Sequence, residues 1–246
     1  MLFRSCTLTL NAVERDTLGE IQPKSFATDS WEIIQKAVKS GNTDKYNVGD
    51  TKEVDLGTLG THTVRIANKS ECTTETSETA CGFVVEFADI ITQQKFNSKN
   101  TNVGGWRDLE LRTYINDTIY SSLSSDLQNV ITSTKVISGH GSTSGETNFE
   151  TQDKLYLLAT KEIFGKAQYD NLDVETRQLD YYKNQGVTPS SYASAIKQLN
   201  NSNSYWWLRS ASRDDARAFL SIVITGDWGN YYADFSNGVS PAFRIA

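Results

Sequence analysis

Residues 212–236 carry the side chains best suited to binding another molecule. They combine the aspartates Asp214 and Asp215 with Arg217 and the adjacent tyrosines Tyr231 and Tyr232. Tyrosine supplies a large contact area at a low cost in side-chain entropy, whereas Asp, Asn, Ser and Gly supply adaptable hydrogen bonds, as in antibody paratopes. Aromatic residues and arginine are also the usual anchors of interfaces. This segment therefore predicts a recognition surface.

Catalytic chemistry is not indicated by the same sequence. An acyl-transfer site needs a nucleophile beside a histidine, and both His62 and His140 lie in strand or loop contexts without a nucleophile motif. Carboxylates are numerous, but the sequence does not pair any two of them across a cleft. We therefore expect a binding protein and not an enzyme.

The amino-acid types that are missing from residue 212 onward provide a second indication. From Ser212 to the C-terminus there is no Lys, Glu, Gln or Met, although Lys and Glu are normally abundant in exposed loops. Asn codons that end in a pyrimidine and change only at their adenines reach Asp, Ser, Gly, Tyr, Thr, Ile, Val, Leu, Ala, Arg and Phe, but not Lys, Glu, Gln, Met or Trp. Adenine-directed mutation explains the omission, and chance in a short segment is the alternative.

Short apolar strands are predicted on both sides of this segment. They carry Trp-Trp-Leu-Arg-Ser at 206–210 and Gly-Val-Ser-Pro-Ala-Phe-Arg-Ile at 238–245. These flanks resemble the DUF6273 family, which is related to the C-type lectin and formylglycine-generating-enzyme fold. Weaker similarity extends upstream to residue 31, and Ser240 departs from the arginine that is commoner in the family. Several members resemble variable proteins of diversity-generating retroelements, in which adenine-directed mutagenesis rewrites a C-terminal segment.

The resemblance implies an α+β, C-type-lectin-like fold with a small twisted, mostly antiparallel sheet, flanking helices and long loops. It would occupy residues 29–246, after an N-terminal extension at 1–28, with a variable segment at about 212–237. The oxidase branch of the wider fold needs a cysteine pair in its C-terminal half, and no cysteine follows Cys81. The implied function is ligand binding, by a diversified surface or by a fixed carbohydrate- or protein-binding module of a bacterial surface protein or phage fibre.

Two sets of residues follow from this hypothesis. The scaffold beneath the site would comprise Trp206, Trp207, Leu208, Phe219, Trp228, Val239, Phe243 and Ile245. The rewritten, solvent-facing set would comprise Asp214, Asp215, Arg217, Ala218, Ser221, Val223, Ile224, Thr225, Asp227, Gly229, Asn230, Tyr231, Tyr232, Asp234 and Phe235. Rough alternation leaves open that some members, especially Val223 or Ile224, are buried.

Charge and hydropathy restrict the partners. The 246-residue chain has a net charge of −6 and no basic run, which argues against nucleic acid and anionic membranes. No stretch has the length of a membrane span, and residues 1–6 are too short for a secretory signal. We expect a protein or glycan partner on a cell surface, and an extracellular, cell-surface or virion location reached without a signal peptide in this chain. No cofactor is expected; calcium stays open because Asp214, Asp215 and Asp227 could supply oxygen ligands.

Cysteine spacing predicts one disulfide. Cys72 and Cys81 flank a polar stretch suited to a hairpin tip, and a bridge there would stabilise the chain by about 2–3 kcal/mol. Two free thiols on adjacent strands are the alternative, whereas a metal site lacks both a CxxC spacing and a histidine cluster. Cys6 is left over.

Periodicity and capping signals predict the remaining elements. A helix should begin after an Asp29 cap and end at Gly41, and a hairpin should follow it across 53–66. Further expected elements are a strand near 6–10, helices at 109–123, 125–131, 160–164, 175–183 and 192–199, and strands at 82–87, 136–137 and 154–158.

Overall fold

The computed structural model describes residues 22–170 and 176–246, and its fold is α+β with small, mostly antiparallel sheets and short helices. The expected strand near 6–10 and Cys6 lie outside the described residues. The helices are α1 (Trp31–Ser40), α2 (Gly105–Asp108), α3 (Glu110–Tyr114), α4 (Tyr120–Ser122), α5 (Ser125–Val130), α6 (Thr160–Phe164) and α7 (Asp180–Asn184). A π-helical segment spans Ile115–Ile119, and 3-10 turns span Gly57–Leu59 and Ala193–Ala195.

Two sheets form the centre of the molecule. The strands are β1 (Thr51–Asp55), β2 (Thr61–Asn68), β3 (Phe83–Phe87), β4 (Thr92–Lys95), β5 (Thr134–Ser138), β6 (Phe149–Asp153), β7 (Lys197–Leu199), β8 (Ser202–Ser204), β9 (Trp206–Ala211), β10 (Ala218–Ile222), β11 (Trp228–Tyr232), β12 (Ser236–Val239) and β13 (Ala242–Ile245). One sheet has the order β1-β2-β3-β13 and the other β11-β10-β9-β12-β4, while β5–β6 and β7–β8 are separate hairpins. The pairing of β9 with β12 is parallel.

The C-terminal segment joins the two sheets. β12 pairs with β4 in one sheet, and after Ser240 and Pro241 the chain continues as β13, which pairs with β3 in the other. The carbonyl of Pro241 accepts the N–H of Phe87 at 3.0 Å, so the crossing is itself hydrogen-bonded. Large apolar side chains such as Trp31 and Phe243 fill the core between the sheets and the helices. Because β12 and β13 are continuous, the second sheet cannot shift without disturbing the first.

Part of the segment expected as an N-terminal extension packs into the core. Phe26, expected in an extension, is completely buried against Trp31, Tyr46 and Phe83. The cap of α1 also differs from the expectation, because the Ser30 hydroxyl accepts the N–H of Ile33 at 3.3 Å. The predicted end at Gly41 is confirmed.

The Asp29 carboxylate is used elsewhere. It accepts the Tyr46 hydroxyl at 2.7 Å and the N–H of Lys24 at 2.8 Å, so it ties two loops together instead of capping the helix.

Two predicted elements are wrong. Residues 154–158 are buried, but they follow β6 as an irregular segment in which Tyr156 alone bridges to Ala242. The helix expected at 192–199 is replaced by a 3-10 turn and the β7–β8 hairpin. Its two turn residues, Asn200 and Asn201, have φ of 51° and 63°, the left-handed conformation that a two-residue hairpin turn requires. The Asn-Asn pair is therefore a hairpin signal and not a helix stop.

A buried ion pair connects four separate segments to β9. The Arg209 guanidinium, fully buried, forms two 2.6 Å bonds with the Glu162 carboxylate of α6. Its remaining N–H groups donate to the carbonyls of Ile137 and Leu157 at 3.2 and 2.8 Å and to the Thr79 hydroxyl at 3.2 Å. All five guanidinium donors thus have partners. A buried charge of this kind is tolerated only because every donor is satisfied.

A second buried cluster joins β7 to the first sheet. The Glu86 carboxylate accepts Arg65 at 2.9 Å, the Tyr182 hydroxyl at 2.9 Å and the Lys197 ammonium at 2.7 Å. Lys197 also donates to the Phe87 carbonyl at 2.6 Å and to the hydroxyl of Ser240 at 2.9 Å. Burial, reinforced by the nearby Arg65 charge, lowers the pKa of Lys197 to about 8. These bonds attach β7 to the first sheet at Glu86 and Phe87.

Cys72 and Cys81 form the expected disulfide, with their Cα atoms 4.8 Å apart. The Glu75 carboxylate lies near the two sulfur atoms, and its pKa is lowered mainly by a hydrogen bond from the backbone of Thr73. The bridge closes the loop that precedes β3 and holds Thr79 beside Arg209. Within residues 22–170 and 176–246, no helix combines the length and the apolar character needed to cross a membrane.

Replacing Glu162 with Gln should lower the free energy of unfolding by about 3–5 kcal/mol, because it leaves Arg209 charged and buried without its counter-ion. Urea denaturation followed by circular dichroism measures this. Glu150→Gln is the matched control: its side chain is 57% exposed and lies 3.8 Å from Lys135, so its loss should cost no more than about 1 kcal/mol. Equal effects of the two substitutions would contradict the role assigned to the buried pair.

The Lys197 pKa predicts a specific pH dependence. The unfolded chain keeps this proton up to about pH 10.4, whereas the folded chain releases it near pH 8. The unfolded state therefore binds more protons between these values, and the stability contributed by Lys197 rises with pH across that window. Unfolding free energies of wild type and Lys197→Met, measured from pH 7 to pH 9.5, should diverge in favour of wild type by about 1–2 kcal/mol. Parallel curves would refute the lowered pKa.

Candidate ligand-binding surface

The segment 212–237 folds as a loop, a hairpin and a turn at the edge of the second sheet. β10 and β11 pair in register from Ala218–Tyr232 to Ile222–Trp228, and β11 is the last strand of that sheet. The connecting turn closes with the N–H of Gly226 bonded to the Val223 carbonyl at 2.9 Å. Gly226 has φ of 91°, and a Cβ there would lie 2.2 Å from the Tyr192 carbonyl oxygen, so only glycine fits. The hairpin is thereby fixed at its tip.

The core beneath the hairpin is apolar and tightly packed. The residues assigned to the scaffold are completely buried with one exception: Trp206, Trp207, Leu208, Phe219, Val239, Phe243 and Ile245 have no exposed surface. The Phe219 ring stacks on Phe96 at 3.5 Å between centroids, and the Trp207 indole donates to the Gln94 carbonyl at 2.8 Å. The exception is Trp228, which is only half-buried.

The expected solvent-facing set divides into three groups. Exposed residues are Asp214, Arg217, Ile224, Thr225, Asn230 and Phe235. Half-buried residues are Asp215, Val223, Asp227, Gly229, Tyr231, Tyr232 and Asp234. Ala218 and Ser221 are buried, so the expectation that they face solvent is wrong. The reason is that β10 lies between β9 and β11 with both faces covered, and the Ser221 hydroxyl accepts the Asn237 amide at 3.1 Å.

Aromatic side chains line the open edge of this sheet, and we call them the aromatic edge: Tyr169, Tyr205, Trp228, Tyr231, Tyr232 and Phe235. Within it, ring centroids lie 4.9 Å apart for Tyr169–Trp228, 5.0 Å for Tyr205–Tyr231 and 5.6 Å for Tyr232–Phe235. Because neighbouring rings brace one another, the rings present contact area at a reduced entropic cost of ordering. Phe235 and Tyr169 are 50% and 45% exposed, so the edge offers apolar surface to solvent.

Tyr231 is a half-buried member of the aromatic edge that also packs against the core. Burial and a hydrogen bond with Tyr205 raise the pKa of Tyr231 to about 12, so its hydroxyl is neutral at physiological pH. Side chains in β-strands alternate between faces. Tyr231 therefore lies on one face of the sheet with Tyr205, while Trp228 and Tyr232 lie on the other. A partner at the edge would meet aromatic surface on both faces.

The charged groups beside the aromatic edge largely neutralise one another. Arg217 forms two 3.0 Å bonds with Asp215, and the same guanidinium lies 4.6 Å from the centre of the Tyr232 ring. The bond from Arg217 holds the pKa of the Asp215 carboxyl below its ordinary value. Asp214 lies 3.6 Å from Arg213. Electrostatics at this surface therefore select weakly for the sign of a partner's charge.

The aspartates considered as calcium ligands do not converge. Within residues 22–170 and 176–246, the one group of acidic, histidine or cysteine side chains close enough to hold an ion is Cys72, Glu75 and Cys81, two of which form the disulfide. Asp227 instead accepts the N–H of Trp228 at 2.8 Å. Asp214, Asp215 and Asp227 thus have separate local roles.

The two histidines line separate cavities away from the aromatic edge. His140 contributes to an open cavity of about 630 Å³ with Lys135 and Glu150. His62 contributes to one of about 310 Å³ with Asp89, and its ring shares a 2.8 Å hydrogen bond with the Leu59 carbonyl. The histidines therefore do not belong to a common site.

Sequence reasoning missed two members of the aromatic edge. Tyr205 directly precedes the apolar flank at 206–210, outside the segment predicted to bind, and Tyr169 stands in a polar stretch without periodicity. Tyr169 reaches the site because its carbonyl accepts the N–H of Arg213 at 3.0 Å, which docks its loop against residues 212–217. No local signal encodes such a contact, although an isolated tyrosine with φ of 48° in a loop marks an unusual backbone.

Comparison with known proteins gives one match. No curated protein and no solved structure matches the chain. A protein-family model described as "Domain of unknown function (DUF6273)" matches residues 83–246, about two thirds of the chain. The match begins at β3 and includes β9, the β10–β11 hairpin and β13, whereas α1, β1 and β2 precede it. The chain therefore belongs to the DUF6273 family.

Proposed function

We propose that this chain is a ligand-binding variable protein of a diversity-generating retroelement, with a C-type-lectin-like scaffold that displays a replaceable C-terminal surface. Its partner would be a protein or a glycan outside the producing cell, and its location the cell surface, the extracellular space or a virion. The observation that carries the proposal is the aromatic edge, in which braced tyrosines with adaptable polar neighbours stand on a fully buried core. The family assignment agrees with the proposal without deciding it.

The distribution of side chains supports diversification. At the surface, residues such as Asp214, Asn230 and Tyr232 all belong to the set that adenine changes in an Asn codon can reach. The residues that hold the hairpin in place, Phe219 and Gly226, are buried. Trp228 cannot be reached in this way, so we assign it as a constant aromatic anchor within a variable surface. A substitution at an exposed edge position would leave the core contacts unchanged, as repeated rewriting requires.

A fixed binding module is the alternative, and the same surface favours it equally. Exposed aromatic rings also suit carbohydrate binding without any rewriting. A catalytic role has no comparable support, because the histidines line separate cavities and Asp214 and Asp215 are each paired with an arginine. Genetic variation distinguishes the two binding hypotheses.

The double substitution Tyr231→Ala and Tyr232→Ala should abolish ligand binding, since it removes two of the six rings of the aromatic edge. The purified chain is probed on a glycan and protein array, and hits are measured by calorimetry. The melting temperature should fall by less than about 5 °C, because both rings are half-buried. Tyr114→Ala, a half-buried tyrosine of α3, is the control and should retain binding. Unchanged binding by the double variant would refute the site.

Sequencing of the gene's 3′ segment and its neighbourhood tests diversification. We expect a reverse transcriptase gene and a near copy of the segment that differs where the copy has adenine. In related isolates, changes should fall on exposed and half-buried positions such as Asp214, Arg217 and Asn230, and spare Phe219 and Gly226. Changes scattered equally over core and surface, or no template copy, would leave the fixed module as the function.

A further inference from the structure

We infer that the aromatic edge binds its partner by strand addition: an extended polypeptide segment pairs with the open side of β11. This inference rests on the proposed function and narrows its ligand from protein or glycan to a polypeptide in extended conformation. It arises from the backbone of β11 and not from the identity of the replaceable side chains.

The hydrogen-bonding direction of β11 follows from the bonds at the two ends of the hairpin. The N–H of Ala233 bonds to the Arg217 carbonyl at 2.9 Å, and the N–H of Val223 bonds to the Asp227 carbonyl at 2.8 Å. Hydrogen-bonded pairs alternate along an antiparallel ladder. Gly229 and Tyr231 therefore direct their backbone groups toward β10. Trp228, Asn230 and Tyr232 direct theirs away from the sheet.

Four of these outward groups are open to a partner. The N–H of Trp228 is bonded to the Asp227 carboxylate, and the carbonyl of Tyr232 accepts the N–H of Phe235 at 2.9 Å. The Trp228 carbonyl, both backbone groups of Asn230 and the Tyr232 N–H have no protein partner within residues 22–170 and 176–246. Asn230 is exposed at the centre of this set. The spacing matches an antiparallel strand whose middle residue lies opposite Asn230.

The two edges of the first sheet, β1 and β13, are protected in ways that β11 is not. β1 carries the charged residues Lys52, Glu53 and Asp55, and the far side of β13 is bridged by Ile131 and Tyr156. Lysine, proline and bulges are the usual devices that keep an edge from pairing. β11 has none of them, and its pairing with β10 is regular throughout.

Main-chain pairing would also preserve affinity on a surface whose side chains are replaced. Strand addition gives affinity through backbone bonds that persist when side chains change, while the side chains of alternate residues give specificity. Residues of the added strand two places from its middle would lie opposite Trp228 and Tyr232 on the same face. We therefore expect apolar or aromatic residues at alternate positions of the partner. A second copy of this chain is a less suitable partner for β11. Every new set of side chains on the surface would then have to be complementary to itself.

The test begins with a displayed library of linear peptides, panned against the purified full chain. Selected peptides should show the alternating apolar pattern. Methylation of their backbone nitrogens one at a time should weaken binding by about tenfold or more at alternate positions, where the N–H faces β11, and by less than about twofold between them. A flat methylation profile would overturn strand addition.

Variants of the chain provide the second arm. Asn230→Pro removes the central donor, and proline is tolerated on an edge strand where the N–H faces solvent. It should weaken peptide binding by about tenfold or more, and by more than Asn230→Ala, which keeps the donor. The matched control is Glu53→Pro on β1. The hydrogen bonds from Leu56 to Gly60 and from Ile66 to Asp50 direct the N–H of Glu53 outward in the same way. This control should bind within about twofold of wild type.

The outcomes separate this inference from the proposed function. Equal binding by Asn230→Pro and Glu53→Pro overturns strand addition. A wild-type dimer that Asn230→Pro converts to a monomer overturns the assignment of a foreign polypeptide, because a second copy would then occupy β11. Glycan binding that depends on Tyr231 and Tyr232, with no peptide recovered, overturns strand addition and retains the proposed function. If neither probe binds in a manner that depends on these tyrosines, the proposed function fails as well. Should Asn230→Pro not fold, the methylation profile decides.

Discussion

The buried pair of Arg209 and Glu162 is the interaction on which the arrangement of the C-terminal half depends. Arg209 stands in β9, the central strand of the second sheet, and reaches the carbonyl of Ile137 in β5 and the carbonyl of Leu157 in an irregular segment. The buried guanidinium has no contact with solvent, so each of its donors needs a protein acceptor. The segments that supply these acceptors therefore have few alternative positions. Buried ion pairs add little net stability compared with apolar packing. Their effect here is to specify one position for β5, α6 and the irregular segments around Thr79 and Leu157 relative to β9.

The Glu86 cluster has the same effect at the other end of the core. Lys197, in the first strand of the β7–β8 hairpin that leads into β9, donates to Glu86 and to Ser240. Ser240 lies where the chain crosses from β12 to β13. The start and the end of the candidate site are thus anchored to the first sheet. Such contacts fix the ends of a loop to a rigid scaffold. The residues between the fixed ends can then vary in sequence while the scaffold keeps the loop in place.

Packing differs between the two strands of the hairpin. In β10 both faces are buried and the strand holds the hairpin, whereas its neighbour β11 is an edge with half-exposed rings on both faces. Trp228 and Tyr231 of β11 still pack against the core, whereas Asn230 is exposed, and the outward backbone groups of β11 remain the same whatever the side chain. In the proposed strand addition, these backbone groups would supply affinity and the side chains specificity.

The sequence by itself indicated the family, the disulfide, the C-terminal end of α1 and the hairpin β1–β2, because these depend on patterns written within short stretches of the chain. Through the types of its residues, it also indicated the segment that we propose for recognition. It could not place Ala218 and Ser221 inside, since their burial follows from the position of β10 between two other strands.

Long-range contacts decided the rest. Residues 192–199 have the pattern of a helix, but the bond between Lys197 and Glu86 and the left-handed pair Asn200–Asn201 make them a hairpin. Tyr169 joins the aromatic edge through a hydrogen bond with Arg213, which lies 44 residues later in the chain. No local sequence pattern encodes this contact. Which strand is left at an edge is likewise a property of the assembled sheet. The sequence supplies the side chains of the site, and only the tertiary structure selects which of them, and which backbone groups, face a partner.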